Sequence, residues 1–318
     1  MREHTTGSAV DVAARETAGG SPDAPRRRRT RMRLAAVAGL LAVPALAGAA
    51  GSPAAAVPGD QHVALGDSYA AGPLITPQDP TLLGCLRSLV NYPRVVARAE
   101  GYLLRDVTCS GATTDDMFAP QVTDAGTNPP QLDALSAGTD VVTLTIGGND
   151  IGFSSIIQNC VAYTPYGPTR AGTLTCKQYY TAGGTDQLAA RIAATRPKVD
   201  RVLQTIAARS PGADVFVAGY PAILPESGSC WPQMPLTVTD ATYLRGVEKK
   251  LNQMLADASA AAGVTYVDTY SPTIGRDACK LPTVRYVEPL VPATDAAPVH
   301  PNRRGEAALG AIVATRTD

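Results

Sequence analysis

Four short apolar runs rich in β-branched residues, separated by helical stretches, leave few folds open to this chain. The first, His62-Val63-Ala64-Leu65, ends in Gly66, and the second, Asp140 to Ile146, ends in Gly147-Gly148. The third, Asp214 to Ala218, ends in Gly219-Tyr220-Pro221, and the fourth runs from Val264 to Asp268. Each reads as a buried strand. Helical spacing appears at residues 88–100 and 186–208, and again in Val247, Leu251, Met254, Leu255 and Ala258, where Gly263 ends the helix. Residues 303–315 read as a closing helix, and Pro197 is expected to kink or restart the second one. Strands alternating with helices imply a parallel sheet covered on both faces. Such sheets bind ligands outside the carboxyl ends of their strands, which directs attention to the turns at Gly66 and Gly147.

The chain begins with a different kind of sequence. Residues 26–33 are dominated by arginine, Leu34 to Ala47 is an apolar run of 14 residues, and small residues follow with A-x-A patterns at Ala47-Ala49 and Ala54-Ala56. Basic, apolar, then small is the layout of a secretory signal peptide. The apolar run is short of the roughly 20 residues that a spanning helix needs. Residues 1–56 are therefore read as signal peptide and leader, residues 57–318 as one catalytic domain, and the product as secreted without a stable membrane anchor. The arginine pairs leave the export route open. The whole chain has 28 basic and 28 acidic residues; the leader takes 8 and 4 of them, leaving 20 against 24, a net of −4. A mildly acidic body argues against a nucleic-acid partner.

Six cysteines, Cys85, Cys109, Cys160, Cys176, Cys230 and Cys279, all follow the leader. An even count in an exported chain points to disulfides, and spacing alone leaves the pairing open. No C-x-x-C occurs, and no His, Cys and Asp cluster has ligand spacing, so neither metal nor cofactor is expected.

The candidates for chemistry sit at the strand ends. Ser68 in Gly66-Asp67-Ser68-Tyr69 follows the first strand, where a hydroxyl can project into a cleft. Asn149 in Gly147-Gly148-Asn149-Asp150 holds the matching place after the second, where it can aim an amide at developing negative charge. Of three histidines, His4 lies in the leader and His62 opens the first strand, which leaves His300 as the candidate base. No G-x-S-x-G surrounds a plausible serine, since Gly66-Asp67-Ser68-Tyr69-Ala70 fails at its last position; that argues against a nucleophile-elbow hydrolase.

Taken together these segments resemble the SGNH, or GDSL, hydrolase family. Gly66-Asp67-Ser68, Gly111 after Ser110, Gly147-Gly148-Asn149-Asp150 and His300-Pro301-Asn302 match its four blocks in order. Cys85 to Pro93, Cys109 to Thr114 and Gly219-Tyr220-Pro221 are similar to the secreted actinobacterial lipase and esterase branch. The resemblance implies a flavodoxin-like three-layer α/β/α sandwich with a central parallel sheet, the SGNH hydrolase fold. It implies a serine hydrolase that cleaves carboxylic esters, first of all acyl lipids, with no cofactor and as a monomer. Carbohydrate O-deacetylation, or a catalytically silent binding protein on the same fold, are the alternatives. Ser68 is then the nucleophile, His300 the general base, and the Ser68 and Gly111 N–H groups with the Asn149 amide the oxyanion hole. The family's usual acid, three residues before the histidine, is replaced by Ala297, whose backbone carbonyl is expected to orient the imidazole; Asp295 lies out of register. Asp67 and Asp150 are expected to brace their loops. The branch also implies disulfides in chain order, Cys85-Cys109, Cys160-Cys176 and Cys230-Cys279.

Overall fold

The computed structural model describes residues 59–163 and 174–317. The leader assigned to residues 1–56 lies outside the described residues. In chain order the elements are β1 (Gln61–Gly66), α1 (Ser68–Ala71), α2 (Tyr92–Glu100), β2 (Leu103–Asp106), β3 (Gln121–Thr123), β4 (Gly126–Asn128) and β5 (Val141–Thr145). There follow α3 (Phe153–Ala162), α4 (Cys176–Tyr180), α5 (Gln187–Arg209), β6 (Asp214–Ala218), α6 (Val238–Ala262), β7 (Thr265–Val267) and α7 (Arg303–Thr317).

Five strands form one parallel sheet in the order β2-β1-β5-β6-β7, and β3 and β4 form a separate antiparallel hairpin. The sheet order reverses direction between β1 and β5, so the crevice of this doubly wound fold opens where those two strands end. The alternation of side chains along each strand feeds two cores. Val142, Leu144, Val215 and Val217 face the layer containing α5 and α6. Val141, Phe216, Ala218 and Val267 face α2 and α7. Burial on both faces explains why the strands read as continuous apolar runs.

The four strands read from the sequence are all present, and a fifth, β2, occupies one edge. Its sequence, Leu-Leu-Arg-Asp, has no β-branched residue, and its side chains alternate between exposed and half-buried. Pro197 does not restart its helix: α5 runs unbroken through it for 23 residues. The proline removes one backbone hydrogen bond. Leu188, Ile192, Val199, Val202, Leu203 and Ile206 bury one face of the same helix, which holds it together across the gap.

Three disulfides, Cys85–Cys109, Cys160–Cys176 and Cys230–Cys279, cross-link loop and helix segments outside the strands and are consistent with an oxidising compartment. Among the described residues no helix is long and apolar enough to cross a membrane.

Candidate active site

The nucleophile loop is built by glycine and a helix cap. Gly66 ends β1 at φ +150°, and a Cβ there would stand 2.6 Å from the Thr145 carbonyl oxygen, so no other residue fits. The Gln131 side chain grips both sides of this glycine: Oε1 accepts the Gly66 N–H at 2.7 Å, and Nε2 donates to the Gly66 carbonyl at 3.0 Å. Asp67 then caps α1, its carboxylate accepting the Tyr69 N–H at 2.9 Å. Ser68 is the first residue of that short helix, which leaves its N–H outside the intrahelical ladder.

His300 meets Ser68 from the other end of the chain. Its Nε2 lies 2.8 Å from Ser68 Oγ. Its Nδ1 lies 2.7 Å from the carbonyl oxygen of Pro298. A carbonyl only accepts, so Nδ1 carries the proton and Nε2 is left free to accept the serine hydroxyl. The orienting carbonyl is thus that of Pro298, a correction to the expectation for Ala297. The Ala297 carbonyl instead accepts the backbone N–H of His300 at 3.2 Å, closing a turn. Within that turn Val299 takes φ +61°, unusual for a β-branched residue. Asp295 faces away: its carboxylate accepts both the N–H and the hydroxyl of Thr76 at 2.7 Å.

The strained turn is held from several sides. Val299 N–H donates to the Glu288 carbonyl at 3.1 Å, and Glu288 N–H to the His300 carbonyl at 2.9 Å. Tyr69 donates its hydroxyl to the Val299 carbonyl at 2.6 Å, and its ring packs 4.9 Å from the imidazole. Buried below, Glu288 pairs with Arg285 and accepts Asn302 Nδ2 at 2.7 Å, while Asn302 Oδ1 accepts the N–H groups of Arg304 and Gly305 at the start of α7. Burial alone would raise the Glu288 carboxyl; the hydrogen bonds from Arg285, Asn302 and Ala293 outweigh it and hold its pKa below the usual value. For His300, burial lowers the pKa and the bond to Pro298 opposes it only in part. The imidazole is therefore neutral at physiological pH, the form a base requires.

Three candidate donors lie on the loops that follow β1, β2 and β5. Gly111 sits at φ +81° between the disulfide-bonded Cys109 and Ala112. Among the described residues no hydrogen bond uses the N–H of Ser68 or of Gly111. Asn149 spends one amide hydrogen on the Ala112 carbonyl at 2.9 Å, which leaves the other available and ties its loop to that of Gly111. A relay anchors the loop at Gly148: its N–H donates to Tyr220 Oη at 2.8 Å, and the Tyr220 hydroxyl donates to Asp67 at 2.5 Å. A Cβ on Gly148 would lie 2.9 Å from that hydroxyl. Burial raises the Asp67 pKa to about 7, against the opposing bonds from Tyr220 and Tyr69. Asp150 accepts the N–H and hydroxyl of Thr114 at 3.0 and 2.5 Å.

His62 lies at the far end of β1. It is fully buried, its Nε2 lies 2.9 Å from Thr143 Oγ1, and desolvation lowers its pKa to about 4. The sequence carries no local signal for Gln131 or Glu288, whereas Tyr69 stands in Gly66-Asp67-Ser68-Tyr69 and Tyr220 in Gly219-Tyr220-Pro221, without a role that those segments alone assign. A small cavity of about 40 Å³, with Ile151, Phe153, Leu224, Val247 and Leu251 in its wall beside the buried Glu248, borders Gly148.

Fold and site define a hydrolase of the three-layer α/β/α class with its serine–histidine pair at the strand ends. A model of the GDSL-like lipase/acylhydrolase family matches residues 64–308. The chain is 41% identical over 286 residues to lipase 2 of Streptomyces coelicolor, which spans 89% of this chain and 94% of that lipase. It is 31% identical over 256 residues to a lipase of Streptomyces rimosus, spanning 79% and 86% of the two chains. The solved structure of phospholipase A1 from Streptomyces albidoflavus superposes with a TM-score of 0.63 at 25% identity, over 81% of this chain and 99% of that one. The chain belongs to the GDSL-like lipase/acylhydrolase family and is a carboxylic ester hydrolase.

Proposed function

We propose that this enzyme hydrolyses acyl-lipid esters through a Ser68 acyl-enzyme, with His300 as general base, and that it works as a secreted monomer. The observation that carries the mechanism is the 2.8 Å contact between Ser68 Oγ and His300 Nε2, with Nδ1 held by Pro298. The neutral imidazole takes the hydroxyl proton as Oγ adds to the ester carbonyl. The N–H groups of Ser68 and Gly111 and the Asn149 amide receive the oxyanion, each donor worth about 3–4 kcal/mol. Collapse breaks the bond to the alcohol oxygen, which takes the proton from His300. Water then gives a proton to His300 as its oxygen adds to the acyl carbon; collapse breaks the bond to Ser68 Oγ, which takes that proton back from His300, and the acid leaves. The Pro298 carbonyl fixes the tautomer but brings no negative charge, so the imidazolium is stabilised less than a carboxylate would stabilise it.

The acyl-lipid reading is supported by the relatives, since the cavity beside Gly148, at about 40 Å³, is too small as it stands to hold an acyl chain. The named relatives are lipases, and a solved structural neighbour is a phospholipase A1. The basic, apolar and small-residue leader, with the three disulfides, supports secretion. The test compares kcat/KM on p-nitrophenyl esters of rising chain length, on phosphatidylcholine vesicles and on acetylated xylan. Higher kcat/KM on medium or long acyl chains and release of fatty acid from the vesicles are expected. Activity confined to acetyl groups on the polysaccharide would overturn the substrate reading.

A further inference from the structure

The Gly111 N–H helps only if its peptide unit faces the nucleophile, and the loop alone does not guarantee that. The Ala112 N–H donates to the Cys109 carbonyl at 3.2 Å, closing a four-residue turn with Ser110 and Gly111 at its centre. Gly111 has φ +81°, the value a type II turn requires at its third position. Type I and type II turns differ by a flip of the central peptide, which here joins the Ser110 carbonyl to the Gly111 N–H. A flip would point that N–H away from the cleft. The other anchors of the turn, Ser110 N–H to the Cys85 carbonyl at 3.0 Å and Asn149 Nδ2 to the Ala112 carbonyl, leave the central peptide untouched.

One side chain does hold it. Gln121, the first residue of β3, donates Nε2 to the Ser110 carbonyl at 2.8 Å. That carbonyl can only accept, which settles which end of the amide faces it. The Gln121 Oε1 is buried without a hydrogen-bond partner among the described residues. A half-satisfied buried amide is a poor contribution to stability. Its presence beside the oxyanion turn calls for a reason other than stability.

We propose that Gln121 is a positioning residue that locks the Ser110–Gly111 peptide in its type II orientation and so sets the direction of one oxyanion donor. This rests on the reading of Ser68, Gly111 and Asn149 given above. The experiment measures p-nitrophenyl ester kinetics, thermal unfolding, and inhibition by an alkyl trifluoromethyl ketone, which forms a tetrahedral adduct on serine. The variants are Gln121→Leu and the unbranched Gln121→Met, neither of which can donate. In each, kcat is expected to fall about ten- to hundredfold with KM within about twofold of wild type. Ketone affinity should weaken by the same factor as kcat/KM. Gly111→Ala, which disfavours the positive φ, should also lower kcat, and the Gly111→Ala/Gln121→Leu double variant should be no worse than Gly111→Ala alone, because both act on one peptide. Unchanged kcat in either Gln121 variant, a loss confined to KM or to unfolding temperature, fully additive losses, or failure of both variants to fold would each overturn the proposal. Ser68→Ala is run alongside: if it retains activity, the underlying reading fails; if it is inactive while the Gln121 variants match wild type, only this inference fails.

Discussion

His300 and His62 differ in what their rings touch. His300 bridges a serine hydroxyl and a backbone carbonyl at the cleft, whereas His62 is buried near the start of β1 against Thr143 of β5. His300→Ala is expected to lower kcat on the order of 10⁴-fold or more. His62→Ala should leave kcat within a few fold, its cost appearing in thermal unfolding. A kcat collapse in the His62 variant alone would reverse the assignment. Because the base must be neutral and burial lowers its pKa, activity should persist below the ordinary histidine value of 6.5. The acid limb of the kcat/KM profile is therefore expected at a midpoint under 6.5, and a midpoint above it would contradict the burial argument. Asp295 is committed to Thr76, so Asp295→Ala should keep activity within a few fold of wild type. An orders-of-magnitude fall in kcat at unchanged stability would mean that its carboxylate reaches His300 during turnover.

At the scale of elements, the docking of α7 on α2 depends on Glu306. This fully buried carboxyl accepts the Tyr92 N–H at 2.7 Å and so caps α2 from a different helix, since Asn91 makes no side-chain cap. Burial drives the Glu306 pKa well above 4.5, with the Tyr92 bond opposing it. The folded state then binds a proton that the unfolded state has lost, so the stability tied to this group is full below pH 4.5 and is lost as pH rises toward the folded pKa. Glu306→Gln keeps an acceptor but cannot ionise. Its unfolding temperature relative to wild type should climb between pH 4.5 and 8; a constant offset would show that Glu306 does not titrate in that window.

How far these elements were legible varies with the range of the contacts involved. β1, β5, β6 and β7 declared themselves by local apolar runs ending in turns. β2 did not, because an edge strand of Leu-Leu-Arg-Asp is defined by pairing with β1 and not by its own pattern. Ser68, Asn149 and His300 were readable from motif and elimination. The Pro298 carbonyl was not, because which carbonyl meets the imidazole depends on Val299 adopting φ +61°. Gln131 and Tyr220 act on residues 65 and 153 positions away, a separation that no local pattern encodes.

Over the whole molecule, a sheet with two helical layers brings residues 68 and 300 together, and three disulfides cross-link segments outside the strands. The bridged cysteines are 24, 16 and 49 residues apart. Closing loops of that size contributes roughly 3–4 kcal/mol each in the chain-entropy model. Reduction with dithiothreitol under native conditions should lower the unfolding temperature by many degrees, and reoxidation should restore it. An unchanged transition after full reduction, verified by thiol counting, would mean that the sheet and its two cores suffice.

The most direct measurement is covalent labelling of the serine that attacks the ester. Wild-type protein is treated with a fluorophosphonate, its intact mass is recorded, and the modified peptide is sequenced; Ser68→Ala is treated in parallel and assayed on a p-nitrophenyl ester. The account predicts one adduct per chain, located on Ser68, and neither adduct nor hydrolysis in the correctly folded variant. An adduct on any other serine, or ester turnover near wild type in Ser68→Ala, would contradict it.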